Sequence, residues 1–194
     1  MSRTSLVPSA HRLMSSLRDL GYELPQAIAE LVDNSIDAKA SEVAIDFRFD
    51  GPASFIRVFD NGRGMTARGI DEAMRYGSGG RYADGALGGF GLGLKTASLS
   101  QCRRLYVASR RTMRSRPEVR LWDLDEVRRS DDWVLDRLTP TESPPELLEP
   151  LAGCTGTVIL WEALDRVAAF RNPSGLRAEA AMRGLALETE RHLS

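Results

Sequence analysis

The chain has 194 residues, 42% of them hydrophobic, which is enough for one substantial core but not for two full domains. Its formal net charge of −1 makes neither nucleic acid nor an anionic membrane an obligatory partner, so charge has to be read locally. No run approaches the ~18 apolar residues of a membrane span, the N-terminus lacks the apolar core of a signal peptide, and the two unclustered cysteines, Cys102 and Cys154, fit a reducing compartment, so a soluble cytoplasmic protein is expected.

Residues 11–20 have the pattern of a short amphipathic helix, and Gly21 and Pro25 punctuate the start of a longer one from Leu24 to about Ala40. On that helix Glu30, Asn34 and Asp37 fall within an arc of roughly 60°, while Leu24, Ile28, Leu31 and Val32 take the opposite side. EVAIDFRF (42–49) and SFIRVFD (54–60) alternate apolar and polar residues across an Asp50-Gly51-Pro52 turn, as a β-hairpin does. The turn Asp60 to Met65 follows, then a helix over 66–76 with Thr66 as its N-cap. Residues 77–93 hold eight of the 17 glycines. Beyond them come a helix over 92–100 and strands over 103–110, 117–123 and 133–138. A proline-rich connection over 139–150 leads to a last strand within 155–164. From 166 to 194 the pattern is helical, broken at 172–175 and without a stop signal, as in a tail or linker that leads on to another domain.

Three constellations carry chemistry. Asp33, Asn34, Ser35 and Asp37 put four mediocre helix formers within five residues, at a cost on the order of 2 kcal/mol against alanine. A solvated face would more cheaply carry Glu, Lys or Arg. Glu30 suits a general base acting on water, and the Asn34 amide oxygen suits Mg²⁺ among phosphates and waters. In the second, Asp60 ends an apolar strand, where its carboxylate can accept from a buried amino group, and Gly62 and Gly64 let a flat ring approach the backbone; the segment reads equally as a plain turn. The third, GSGGRYADGALGGFGLGLK, is a glycine-rich segment expected to order on a ligand, and its end feeds a helix whose amides suit phosphate, with Lys95 as an added point charge or a helix-surface cation. It matches neither the Walker pattern nor a dinucleotide-binding βαβ unit.

In order and spacing, ELVDNSIDA, DNGRGM and GGFGLGLK, followed by Gly156-Thr157-Val158, resemble the four motifs of the GHKL ATPase superfamily. Its members include gyrase B, the large heat-shock chaperones, MutL-type repair proteins, histidine kinases and MORC proteins. The resemblance spans residues 15–162 and implies an α+β two-layer sandwich: a mixed, mainly antiparallel sheet with helices on one face and a glycine-rich ATP lid over 76–93. The ATP-binding domain would cover 1–165, with 1–20 as an N-terminal segment and 166–194 as the tail.

The resemblance also implies roles. Glu30 would activate water, Asn34 would hold Mg²⁺, and Asp37 would steady the pocket. Asp60 would receive the adenine amino group with Thr157 helping, Gly64 would leave room for the ring, and Met65 would pack on it. Arg63 resembles an arginine that lies against adenine in the gyrase branch, with surface charge as the alternative. Gly89, Phe90, Gly91, Leu92 and Gly93 would line the phosphates, and Lys95 resembles a lysine of MORC-like members. Several branches complete their site with a basic residue from a following domain, so slow hydrolysis is expected here. The leading function is an ATP-driven switch that closes the lid and forms a homodimer. Alternatives are phosphotransfer, with His11 as the upstream acceptor, and a nucleotide-binding interaction module. Seven arginines against one glutamate between Arg103 and Arg120 suit nucleic acid or an acidic partner, or a solvated strand surface.

Overall fold

Runs rich in β-branched and aromatic side chains give six strands among the described residues of this computed structural model, which are 8–19, 21–76, 93–167 and 174–193. The strands are β1 (Val43–Arg48), β2 (Phe55–Asp60), β3 (Arg104–Arg110), β4 (Glu118–Asp123), β5 (Asp136–Leu138) and β6 (Gly156–Glu162), in the sheet order β1-β2-β6-β3-β4-β5. Every pairing is antiparallel, more uniform than the mixed sheet expected. The cause is β6. Strands β2 and β3 run the same way, but β6 inserts between them against both, so no parallel pair remains.

The helices among the described residues are α1 (Ala10–Asp19), α2 (Leu24–Asp37), α3 (Ala67–Met74), α4 (Gly93–Leu99), α5 (Leu124–Ser130), α6 (Pro145–Leu148) and α7 (Leu176–Leu193). Met14 of α1, Ile28 and Leu31 of α2, Ile70 and Met74 of α3 and Leu99 of α4 pack on Ile56, Val58, Val107, Ile159 and Trp161 of the sheet. Complete burial of Ile28 and Leu31 is worth roughly 1.5–3 kcal/mol each, more than enough to offset the poor helix formers behind them. The buried face of α2 thus holds the helix, and its polar stripe is free for other work.

The opposite sheet face is covered too. Leu147 of α6 and Leu151 just beyond it sit on Tyr106, Ala108, Val119, Val158 and Leu160, so the presumed connection over 139–150 is a small second cover. With both faces covered, β6 is buried along nearly its whole length.

Several boundaries differ from expectation for identifiable reasons. Helix α2 stops at Asp37 because Lys39 takes a left-handed conformation, φ 61°, while Lys39 N–H donates to the Ile36 carbonyl and Ala40 N–H to the Ser35 carbonyl. That closure normally uses glycine. Helix α3 starts where expected, with the Thr66 side chain accepting from Gly69 N–H, but ends at Met74 because Arg75 is extended. Only 136–138 of the predicted strand over 133–138 pairs, and α5, unanticipated, precedes it. Within the tail, α7 packs on α2 and β1 and buries Ala178 and Met182. The first half of the predicted break at 172–175, the start of the N-terminal segment and most of the 76–93 lid lie outside the described residues. Cys102 is buried, Cys154 half-buried, and both are free. No described helix is long and apolar enough to cross a membrane.

Gly156 begins β6 at φ +145°, and a Cβ there would strike the Asp60 carbonyl oxygen. Gly156→Ala is expected to destabilise the fold by about 2–5 kcal/mol, from backbone strain and overpacking together. The check is a lower denaturant midpoint with an unchanged slope. A wild-type midpoint would show that the β2 and β6 ends are not this close.

Candidate functional site

Strand periodicity brings the site's polar groups together. On β2 the residues facing the helices are Ile56, Val58 and Asp60; on β6, Thr157, Ile159 and Trp161; on β3, Leu105, Val107 and Ser109. Asp60 pairs with Thr157, and Thr157 with Ser109, so three apolar stripes end in one polar rung across β2, β6 and β3. Ser109 Oγ donates to the Gly156 carbonyl at 3.0 Å, accepts from Met65 N–H at 2.7 Å and lies 3.0 Å from Thr157 Oγ1.

Asp60 is 6% exposed. Burial pushes its carboxyl above the ordinary range, while the N–H groups of Gly62 and Thr157 and the Ser35 hydroxyl pull it back. The Gly62 bond to Oδ1 is 2.9 Å. Ser35, on the buried side of α2, has one proton and two takers, the Asp60 carboxylate and the Leu31 carbonyl at 3.0 Å. A buried carboxylate supplied with so few donors has accepting capacity left for a ligand's amino group.

The turn after Asp60 holds this carboxylate against the end of α2. A Cβ on Gly62 would come within 2.8 Å of both the Ala38 carbonyl and Asp60 Oδ1. Arg63 N–H donates to the same Ala38 carbonyl at 3.0 Å. Asn61 clamps the chain after α2, its Oδ1 accepting from Ser41 N–H at 2.9 Å and Glu42 N–H at 3.0 Å. Gly64 also has a backbone reason to be glycine: at φ +58°, an added Cβ would strike the Arg110 carbonyl and crowd that of Gly156. Met65 is half-buried on the main core, and the Arg63 side chain is exposed.

On α2, Glu30 is half-buried and Asn34 exposed. Asn34 Nδ2 donates to the Glu30 carbonyl at 2.7 Å, which turns its Oδ1 away from the helix as a neutral hard ligand. The Glu30 carboxylate rests on Gly93, where an added Cβ would lie 2.5 Å from Oε2. Glu30 on the second helix and the end of the glycine motif, 63 positions later, therefore touch. Asp37, half-buried, makes no hydrogen bond or ion pair among the described residues. Gly89, Phe90, Gly91 and Leu92 lie outside them.

Lys95 is neither a surface cation nor turned to solvent. It is 1% exposed, and its Nζ donates to the Ala73 carbonyl at 2.8 Å.

Five of the seven arginines between Arg103 and Arg120 find partners in the fold. Arg103 pairs with Asp125, Arg104 with Asp123 and Glu162, and buried Arg120 with Asp71 and Glu118. Arg110 spends its guanidinium on the carbonyls of Met113, Ser115, Leu151 and Ala152, and Arg111 on those of Arg63 and Gly64. Arg114 and Arg116 alone of the seven lack such partners among the described residues.

Of the polar rung and its support, Ser109 was not singled out from the sequence, and Ser35 entered only as one of four poor helix formers on α2. Ser109 had a signal: it is a polar residue at the next step of the Leu105, Val107 alternation. A family model described as histidine kinase-, DNA gyrase B-, and HSP90-like ATPase matches residues 22–153, about two thirds of the chain. No curated protein matches the sequence.

Proposed function

Because the chain belongs to the histidine kinase-, DNA gyrase B- and HSP90-like ATPase family, we propose that it binds ATP with Mg²⁺ and hydrolyses it, Glu30 acting as the general base. The contact of the Glu30 carboxylate with Gly93 carries this reading, since it sets a base against the end of the glycine motif. Asp60 receives the adenine amino group, with Thr157 and Ser109 behind it and Arg63, Gly64 and Met65 beside the base. Asp37 supports the pocket, and residues 89–93 line the phosphates. Glu30 takes a proton from water as the water oxygen bonds to the γ-phosphorus; the bond from that phosphorus to the bridging oxygen breaks, and ADP and phosphate leave.

Asn34 fits the metal, because its Oδ1 is left over from the bond to the Glu30 carbonyl. No group of three or more His, Cys, Asp or Glu side chains suited to a metal occurs among the described residues, so phosphate and water oxygens would complete the shell. Bound Mg²⁺ would neutralise charge on the phosphate oxygens.

Chelation is expected to stop hydrolysis. Asn34→Ala is expected to reduce the Mg²⁺-dependent part of ATP-analogue affinity roughly 10-fold, about 1.4 kcal/mol, without changing metal-free affinity. Calorimetric titration with and without Mg²⁺, alongside phosphate release, reads both. Affinity indifferent to Mg²⁺ together with no phosphate release would sink the proposal. Closure of the 76–93 segment and dimerisation complete the proposed switch, and an unchanged sedimentation coefficient with the analogue would remove that part. His11 sits in α1 with its backbone N–H tied to Asp131 beyond α5, which lends the phosphotransfer alternative no support.

A further inference from the structure

All but two of the 26 basic residues are arginine, and one of the two lysines is buried. Lys95 sits in α4 with its Nζ 2.8 Å from the Ala73 carbonyl and 5.8 Å from the centroid of the Tyr76 ring. Helix α3 closes its own end only through the Arg75 N–H, which donates to the Glu72 carbonyl at 3.2 Å. Its last turn carries no basic residue, and Arg75 at the C-cap is extended, so no left-handed closure forms. Two of its final carbonyls are met from outside instead: Ala73 by Lys95, and Met74 by Trp122 Nε1–H at 3.1 Å.

A cation at a helix C-terminus is favoured by the helix dipole. Burying an ammonium is not, and burial lowers the Lys95 pKa to about 8 despite the nearby Glu72. Methionine would fill similar space without that cost. A planar guanidinium could not stand in for so compact a donor, which accounts for a lysine in a chain that otherwise uses arginine. Two positions before Lys95 lies Gly93, against which the Glu30 carboxylate rests.

We propose that Lys95 is a positioning residue for hydrolysis: by capping α3 from within α4, its buried ammonium fixes the start of α4 and so holds Gly93 against the Glu30 carboxylate. The inference rests on Glu30 being the base of the proposed reaction, and it replaces a direct phosphate contact by Lys95. The charged and titratable groups around Lys95 are Glu72 from α3, Tyr76 just beyond α3, and Glu30 from α2 on the Gly93 side; α4 carries no second one. As pH rises through about 8 the cap loses its charge, whereas an unfolded lysine holds its proton to ~10.4. Between these values the folded state binds fewer protons, so Lys95 makes stability rise with pH while the cap weakens.

The test is Lys95→Met in the full chain, with wild type across pH as a measurement that needs no variant. The expected result is a kcat loss of roughly 10–100-fold, analogue affinity within about 3-fold, and an unfolding temperature at pH 7 equal to or above wild type. Wild-type kcat should also fall as pH passes about 8, and the variant should lack that limb. Amide exchange without nucleotide should quicken by at least about 10-fold at the end of α3 and the start of α4. That last readout separates the two ideas, since quickened exchange in the variant, beside a wild type that never hydrolyses ATP, would sink the proposed function and keep the cap. Unchanged exchange, an unchanged kcat, a parallel fall of kcat and stability, or an affinity loss matching the kcat loss would each overturn the positioning role.

Discussion

Glu30→Gln is expected to slow ATP hydrolysis by about 10²–10⁴-fold while leaving affinity for an ATP analogue within about 3-fold of wild type. The substitution keeps the length and shape of the side chain, so the contact with Gly93 survives. What is lost is the capacity to take a proton from water, which matters in the transition state and not in the bound ground state. Removing a carboxylate beside the phosphates also relieves like-charge repulsion, so bound nucleotide should persist longer on the variant than on wild type. Single-turnover phosphate release and calorimetry on the same preparation separate the outcomes. Turnover within about 3-fold of wild type would end the assignment of Glu30 as base. A parallel loss of affinity would make it a binding group instead.

The parts of this site that could be read from the sequence are those fixed by local periodicity. Glu30, Asn34 and Asp37 share a helix face because 3.6 residues make a turn, and Asp60 continues the inward stripe of Ile56 and Val58 because strands alternate. Thr66 announced its cap by its place before a helical run. The end of α2 was hidden because Lys39 takes a left-handed conformation at a cost of about 1–2 kcal/mol, where a glycine would have been a visible signal. Helix α5 left its marks, an Asp123 N-cap, acids in the first turn and arginines in the last, but seven residues are too few for periodicity to show.

Long-range pairing decided the rest. Ser109 acquires its role only once β3 is registered against β6, bringing it beside Thr157 from 48 positions away. The arginine run looked like a surface patch because its partners are distant in sequence: Asp71 for Arg120, Glu162 for Arg104. Lys95 likewise depends on where α3 ends, a boundary that its own ammonium helps to set.

Asp60→Asn is expected to separate affinity from stability in opposite directions. In the wild type, burial raises the Asp60 pKa above its unfolded value, so the folded state binds the proton more tightly and stability falls as pH rises from the unfolded pKa through the folded one. At neutral pH the ionised carboxylate is therefore a net cost, and the amide removes it. The variant should unfold at an equal or higher temperature at pH 7, with the difference shrinking as pH falls through the raised folded pKa, where wild type becomes neutral as well. Binding should move the other way. Asparagine has one acceptor atom where aspartate has two; if Oδ1 keeps the Gly62 N–H, the amide nitrogen faces the adenine amino group, donor against donor. If the amide flips, the clash moves to Gly62. Loss of a hydrogen bond to a charged group, worth about 1.5–3 kcal/mol, predicts an ATP affinity roughly 10–150-fold weaker. Guanine carries an acceptor oxygen where adenine carries the amino group, so the same substitution should narrow the preference for ATP over GTP. Titrations with both nucleotides, read beside the melting curves, test the whole account. Weakened binding together with a lower unfolding temperature at neutral pH would make Asp60 a structural clamp on the β2 turn, and unaltered ATP affinity would place the base elsewhere.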